Sequence, residues 1–329
     1  MNMSQELNNN SWQPTCNVKA LEERALLYKR ARQFFDSRGV IEVETPLMCT
    51  RTITDPYIQA FMVDNKYYLQ TSPEYAMKRL LANGCKSIYQ ICKAFRHDEA
   101  GNMHNPEFTM IEWYRLGFDH IQLMDEMDLL LQVLLDTTQP ARKISYYTLF
   151  MENFEINPHA TDIDSLQACA KKAGIDLSAA ALVGLTVTDW LQILMSYVIE
   201  PRLTGPVPWI VYDFPAAQAA LAKVIDTVID TKKCPVAARF EVYMQGMELA
   251  NGYYELQNPA EQTKRFTQDN AKRLEQGTKQ IQADERLLAA LEVGLPDCAG
   301  VALGLDRVLM LKMQAKSIAD VLSFTIRNA

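Results

Sequence analysis

Two short segments carry most of the side chains suited to handling phosphates and charged small molecules. The first is residues 93–115, KAFRHDEAGNMHNPEFTMIEWYR. It is expected to form two strands around a polar loop, with Arg96 leaving the first strand. Side chains alternate faces along a strand, so Phe108, Met110, Glu112 and Tyr114 share one face and Thr109, Ile111 and Trp113 the other. The second face suits a core. The first offers a flat ring, a carboxylate and a phenol in a row beside a fixed cation. An arginine fork matches phosphate oxygens and stays charged near neutral pH, and Phe108 could stack on a base. Taken singly, a surface role for Arg96 and a core role for Phe108 are the simpler readings. Taken with Glu112 and Tyr114, a nucleotide site beside a charged small molecule is the better one.

The second segment is MELANGYYEL, residues 247–256. Asn251-Gly252 is a two-residue hairpin signal. Such a turn would set Ala250 across from Tyr253, Leu249 across from Tyr254 and Glu248 across from Glu255. Directly opposed residues lie roughly 4.5–5.5 Å apart at Cβ, where like charges repel. A divalent cation would convert that repulsion into binding, and Mg²⁺ commonly takes one or two carboxylates plus substrate phosphates. In an unbroken strand the odd separation would place the two acids on opposite faces, so this reading requires a turn or bulge near Gly252. A solvated acidic edge is an equal alternative.

Two weaker signals accompany these. In Gly300–Arg307, glycines permit close backbone approach and Arg307 opens a helix. The spacing is neither G-x-G-x-x-G nor a P-loop, and tight helix–strand packing alone would explain it. Glu74, Glu112 and Glu255 form a surplus of acids at these elements. Unpaired buried charge is costly, so such acids imply a cationic partner, either a substrate ammonium or a protein Lys or Arg.

Composition bounds the answer. The chain has 329 residues, a formal charge of −7 and a pI near 5.3, a balance that speaks against general nucleic-acid binding. The cysteines number seven, with no C-x-x-C pair, as expected for reduced thiols in a cytoplasmic protein. His97, His104, His120 and His159 form no zinc-ligand spacing. The opening MNMSQELNNNSWQP is not a signal peptide, and no stretch reaches the apolar length of a membrane span.

The elements expected to position these residues follow from periodicity. Residues 1–18 are polar and read as a loose tail. Residues 19–38 carry a helical apolar stripe ending at Gly39, and 40–45 a strand closed by Pro46. A strand at 67–71 leads into Ser72-Pro73-Glu74, which opens a helix running to Asn83-Gly84. Strands are expected at 87–96, 209–214 and 239–255, helices at 120–136, 259–276 and 283–293, and a strand at 298–304 feeding a final helix. Between about 140 and 205 the pattern is helical with no strand signal, read as an insertion rather than a domain. Hairpins and long excursions, not regular βαβ units, point to an α+β fold with an antiparallel sheet flanked by helices.

Three segments together resemble the signature motifs of class II aminoacyl-tRNA synthetases: the helix followed by GVIEVETP, then FRHDE with HNPEFTMIEWY, then GVALGLDR. Within that class, TSPEYAMKRLL, HNPEFTM and ELANGYYEL are most similar to lysyl-tRNA synthetases. The similarity runs from residue 19 to the end apart from the insertion. Only about 18 polar residues precede the first motif, with no anticodon-binding barrel. That architecture, with SWQP, resembles the family of synthetase paralogues that modify a lysine of elongation factor P.

This resemblance implies an ATP-dependent ligase, with ATP as substrate and Mg²⁺ as cofactor. (R)-β-lysine or lysine would be activated as an adenylate and passed to the ε-amine of a lysine on elongation factor P. It further implies a homodimer, formed through the first helix and strand, that uses neither tRNA nor a membrane. By position, Arg96 would stabilise α-phosphate charge. His97, Asp98, Asn105, Leu249 and Gly304 would complete the ATP site, and Phe108 and Arg307 would sandwich the adenine. Glu248 and Glu255 would hold Mg²⁺, making Arg96, Glu248 and Arg307 the catalytic set. Ser72, Pro73, Glu74, Glu112, Tyr114 and Glu255 would position the diamino acid. Where the family has Arg-Asn-Glu this chain has Arg96-His97-Asp98, so either Asp98 reaches the nucleotide through water or Glu99 substitutes. Ala302 lies where tRNA-charging relatives have glycine. The alternatives are a truncated synthetase that charges tRNA and a non-catalytic regulatory subunit.

Overall fold

The computed structural model describes residues 12–97, 101–176 and 184–329. The chain opens with helix α1 (Val18–Asp36), followed by strands β1 (Ile41–Glu42), β2 (Met48–Cys49), β3 (Met62–Val63) and β4 (Tyr67–Leu69). Helix α2 (Glu74–Ala82), strands β5 (Ile88–Phe95) and β6 (Glu107–Leu116), helix α3 (His120–Leu135) and strand β7 (Arg142–Ser145) come next. Helices α4 (Tyr146–Phe154), α5 (Ile163–Lys172) and α6 (Val187–Leu194) precede strands β8 (Trp209–Pro215), β9 (Val224–Ile229), β10 (Lys232–Met244) and β11 (Met247–Tyr254). The chain closes with α7 (Pro259–Glu275), α8 (Glu285–Val293), β12 (Cys298–Gly304) and α9 (Leu305–Met313).

Among the described residues the main sheet runs β1-β5-β6-β12-β11-β10-β8-β7, with β9 paired to β10. It is antiparallel except at its margins, where β1 lies parallel to β5 and β7 parallel to β8. The strand β7 falls where the pattern suggested helices alone. Helices α4 to α6 build their own core around Tyr146, Phe150, Leu166, Trp190 and Leu194, and that core continues into Val211, Phe214 and Ala237 of the sheet. Of the expected tail, Thr15 and Cys16 are tied by backbone hydrogen bonds to Ser323 and Leu322.

The two faces of the sheet do different work. One packs on α1 and α3 through Phe35, Tyr89, Ile111, Trp113, Val301, Leu303, Phe240 and Val242. Phe35 stacks on Tyr89 at 4.6 Å and meets Trp113 edge-on at 5.2 Å. Each fully buried Leu or Phe here contributes roughly 1.5–3 kcal/mol relative to exposure. Asn17 caps α1 by accepting from Ala20 N–H, and a reciprocal Asp119–Gln122 capping box opens α3. This face makes the sheet rigid. The other face is left to carry the site.

Asn251-Gly252 is not a turn. β11 runs straight through it, paired with β10 on one side and β12 on the other. The hairpin turn lies at Gln245-Gly246, whose φ angles of 54° and 72° suit a two-residue connection. Gly252 is needed for packing instead: a Cβ there would lie 2.5 Å from the Phe240 ring and 2.9 Å from Val301. The strand region expected over 239–255 accordingly holds parts of two strands, β10 and β11, joined at Gln245-Gly246 rather than at Asn251-Gly252.

Candidate active site

The row expected on β6 is present. Ala302 of β12 pairs with Glu112, Gly300 with Tyr114 and Gly304 with Met110, so the floor beside that row is built from small residues. A Cβ on Gly300 would fall 2.3 Å from the Tyr114 ring and 2.6 Å from Glu255 Oε1. The glycine therefore lets a phenol and a carboxylate converge on one point of the sheet.

On β11 a bulge decides which acids face the site. Tyr243 pairs with Glu248 and Val242 with Ala250, which leaves Leu249 unmatched. The extra residue reverses the alternation, so Glu248 shares a face with Asn251 and Tyr253. Across the ladder on that face stand Arg239, Glu241 and Tyr243. The carboxylate neighbouring Glu248 is thus Glu241. Burial, then the charge of Glu241, pushes the Glu248 carboxyl up to about 7. Glu241 is held by hydrogen bonds from Arg239 and Tyr243. The expected turn that would set Glu248 across from Glu255 is corrected on this point. Without the turn at Asn251-Gly252 the two are not cross-strand partners, and Glu255 is engaged 2.5 Å from Lys78 Nζ.

A cavity of about 630 Å³ opens over this face, with Arg96, Asn105, Phe108, Glu241, Glu248, Arg307 and Glu74 in its wall. The Arg96 guanidinium lies 5.1 Å from the Phe108 ring centroid. Arg307 donates to the Glu248 carbonyl at 2.5 Å and meets His104 Nε2 at 2.5 Å. Buried Asp306 accepts from Thr109 N–H at 2.6 Å and pairs with Arg24 at 2.6 Å. This ties the start of α9 to the start of β6 and so fixes Arg307 relative to Phe108. Gly304 leaves the Leu249 carbonyl 3.6 Å from where its Cβ would be. The Asn105 amide is taken up by the Glu107 carbonyl and Ile326 N–H, so it anchors the loop. His97 is not among the residues lining the cavity; its backbone N–H is donated to the Gln59 carbonyl and its ring lies 4.9 Å from Phe61. Asp98 and Glu99 lie outside the described residues.

The second cluster lies behind Glu74. Glu112 accepts from Ser72 Oγ and from Tyr114 Oη, each at 2.7 Å. Lys78 bridges Glu74 at 2.6 Å and Glu255 at 2.5 Å. Glu112, Glu255 and Lys78 are each 2% exposed or less. Burial, then the charge of Glu74, raises the Glu112 carboxyl to about 7. Burial raises Glu255 to about 8 against the pull of Lys78. Burial works against the Lys78 ammonium, but Glu255 and Glu74 outweigh it and hold it charged. Ser72 and Pro73 line an adjoining pocket of about 220 Å³ that shares Glu74 with the main cavity. Pro73 occupies the N-cap position of α2, one residue later than expected, and the Glu74 N–H bonds Ser72 Oγ at 3.0 Å.

The arrangement has one part suited to phosphates and a ring and another suited to ammonium groups. Among the described residues no cluster of three or more metal-ligating side chains occurs. A cation at Glu241 and Glu248 would complete its shell from phosphate oxygens and water, which is how Mg²⁺ commonly binds. The observation that fits such an ion is geometric: Glu241 and Glu248 share one face of the paired strands β10 and β11 and both line the cavity.

Residues 13–328 match the family of tRNA synthetases class II (D, K and N). The chain belongs to this family. The class II frame accounts for the sheet, the cavity above it and the motif arginines at 96 and 307. Among similar proteins, one of Vibrio parahaemolyticus described as elongation factor P–(R)-β-lysine ligase is 48% identical over 323 residues, covering 95% of this chain and 98% of the relative. Proteins of the same description from Salmonella typhi and Salmonella dublin are each 46% identical over 330 residues, covering 97% of this chain and 98% of each relative.

Several residues of the cavity wall and of the acid cluster carry no signal that the sequence reading used: Lys78, Arg239, Glu241, Asn251 and Tyr253. Lys78 was readable as the i+4 partner of Glu74. Arg239, Glu241 and Tyr243 recur with period two inside an otherwise apolar strand, a polar stripe that marks a site face.

Proposed function

We propose that this enzyme activates (R)-β-lysine with ATP and transfers it to the ε-amine of a lysine on elongation factor P. The single observation that carries this reading is the joining, over one sheet face, of the Arg96–Phe108–Glu248–Arg307 wall to the Glu74–Glu112–Glu255 cluster. The names of near full-length relatives supply the identities of the acceptor and the amino acid.

In the first step the amino-acid carboxylate attacks the α-phosphate of ATP and pyrophosphate leaves. The nucleophile is already an anion, so the chain supplies alignment and charge neutralisation rather than a base. Arg96 meets developing α-phosphate charge, and Phe108 and Arg307 hold the adenine ring. Glu241 and Glu248 would hold Mg²⁺, which when bound would supply further neutralisation of phosphate charge. Ser72 and Tyr114 orient Glu112, and Glu112, Glu74 and Glu255 receive the substrate ammonium groups. In the second step the acceptor ε-amine attacks the adenylate carbonyl, forming an amide and releasing AMP.

We place the reaction in the cytoplasm, where a translation factor works. No described helix is long and apolar enough to cross a membrane. The exposed Val18, Leu21 and Leu26 of α1 and Ile41 of β1 support a homodimer through this edge. The net charge of −7 favours a protein over tRNA as acceptor. Incubation with ATP, (R)-β-lysine and elongation factor P should add one β-lysyl group to the factor, read by mass spectrometry. Efficient charging of tRNA with an unmodified factor would overturn the assignment.

Two expectations arise here. Glu112 and Glu255 ionise near 7 and 8 in the free protein, and a diammonium ligand binds their ionised forms. The KM for (R)-β-lysine should therefore rise as pH falls through about 8 to 7, by up to roughly tenfold per pH unit for each carboxylate that must ionise. Raised carboxyl pKa values also mean that the folded state holds these protons more tightly than the unfolded one. Their contribution to ligand-free stability is lost as pH rises through about 7 to 8, so the Tm gain from bound β-lysine should grow over the same window. A flat KM across it would contradict the placement.

Ala302 lies on the site face between Gly300 and Gly304, paired with Glu112 and Asn251. A β-amino acid carries its amine one carbon further from the carboxylate, and the Ala302 methyl shortens the space beside it. Ala302→Gly should shift the ratio of kcat/KM values toward α-lysine by about tenfold, a methyl group in a pocket being worth roughly 1–3 kcal/mol. An unchanged ratio in pyrophosphate exchange would remove this residue from the selection.

A further inference from the structure

We propose that Lys78 is a positioning residue of the amino-acid pocket: a built-in ammonium that clamps Glu74 and Glu255 and leaves the cluster two positive charges short of neutrality. The inference rests on the reading of the site as one for a diamino acid. Lys78 is 2% exposed and reaches Glu74 Oε1 at 2.6 Å and Glu255 Oε2 at 2.5 Å. It joins the first residue of α2, which lines the cavity, to an acid at the end of β11. A structural ion pair needs one carboxylate for one ammonium. Here one ammonium faces three acids, and Glu112 receives only the neutral hydroxyls of Ser72 and Tyr114. Two positive charges would complete the cluster, which is the number an acid with two amino groups brings.

The geometry explains how the clamp acts. One oxygen of Glu255 is taken by Lys78, and the other lies over Gly300 beside the Tyr114 ring. Without the ammonium, Glu255 and Glu74 repel each other and swing apart or take up protons. The charged and titratable groups facing Lys78 are Glu74 on its own helix, Glu112 and Tyr114 from β6, Glu255 at the end of β11, and Cys298 of β12, with Asp297 and Lys223 beyond.

The test is ATP–pyrophosphate exchange driven by (R)-β-lysine in the full chain. Lys78→Met, close in shape but neutral, should raise the KM for β-lysine about tenfold or more while the KM for ATP stays within about twofold. Its acid limb should move up by about one pH unit. Lys78→Ala should be rescued by added propylammonium and not by propanol, which fills the same space without the charge. Equal rescue by propanol, or an unchanged β-lysine KM and acid limb in Lys78→Met, would overturn the proposal, because the residue would then only fill volume. Absence of β-lysine-dependent exchange in the wild-type protein would instead overturn the reading of the site on which the proposal stands.

Discussion

Replacing Arg96 with alanine is expected to lower β-lysine-dependent pyrophosphate exchange by roughly 10²–10³, the loss seen when one preorganised donor to developing charge is removed. That corresponds to about 3–4 kcal/mol of transition-state stabilisation. The residue leaves β5, lies against Phe108 at 5.1 Å, and shares the cavity wall with Glu248 and Arg307. Arg96→Lys keeps the charge but loses the fork, and should recover only part of the rate. The fold should persist, since the core of the sheet lies on the opposite face. Full exchange by Arg96→Ala in a steady-state assay would remove the phosphate role.

The second large effect concerns the acid pair. Glu248→Gln should lower exchange about 100-fold or more and raise the Mg²⁺ concentration needed for half-maximal rate, because metal ligands and their neighbours typically alter affinity by 10–100-fold or more. Glu241→Gln should act in the same direction, although it also releases Arg239 and Tyr243 from their shared acceptor. Glu255→Gln should behave differently. Its partner is Lys78, so its loss should raise the β-lysine KM and leave the Mg²⁺ requirement where it was. Titrating Mg²⁺ in the three variants separates the roles. A shifted Mg²⁺ requirement in Glu255→Gln, with none in Glu241→Gln, would restore the pairing first expected from sequence.

The turn expected at Asn251-Gly252 is absent for a definable reason. Asn-Gly satisfies a hairpin turn, where both residues need positive φ, and equally a tight strand, where the absent Cβ makes room for a ring. The Phe240 ring that settles the matter lies on a neighbouring strand, and a single sequence does not reveal which strand pairs with which. The true turn, Gln245-Gly246, offers a weaker chemical signature. The bulge at Leu249 is equally hidden, yet it alone brings Glu248 to the face that holds Glu241. A bulge near Gly252 is therefore present, and the acid it sets beside Glu248 across the ladder is Glu241.

The row on β6 was legible because alternation along a strand is fixed by backbone geometry and needs no neighbour. Phe108, Met110, Glu112 and Tyr114 face the small residues of β12, and Ile111 and Trp113 face the core. The helices at 18–36, 74–82, 120–135 and 259–275 were legible from apolar spacing and end signals. β7 was missed because four residues at a sheet margin carry too short a pattern to separate from a loop. Arg96 was legible as a candidate phosphate partner by residue type, and Arg307 was named through the motif resemblance. Lys78, buried beneath the acids, was passed over because the reading sought the surplus of carboxylates and not the cation already among them.

The account stands on one surface joining a nucleotide wall to a pocket for a diamino acid. The most direct measurement is exchange of labelled pyrophosphate into ATP with (R)-β-lysine as the sole amino acid, on the wild-type protein. Saturable exchange that vanishes without β-lysine, and whose β-lysine KM alone responds to Glu112→Gln, is the predicted result. Exchange that proceeds without any amino acid, or none at all while ATP still binds, would contradict it.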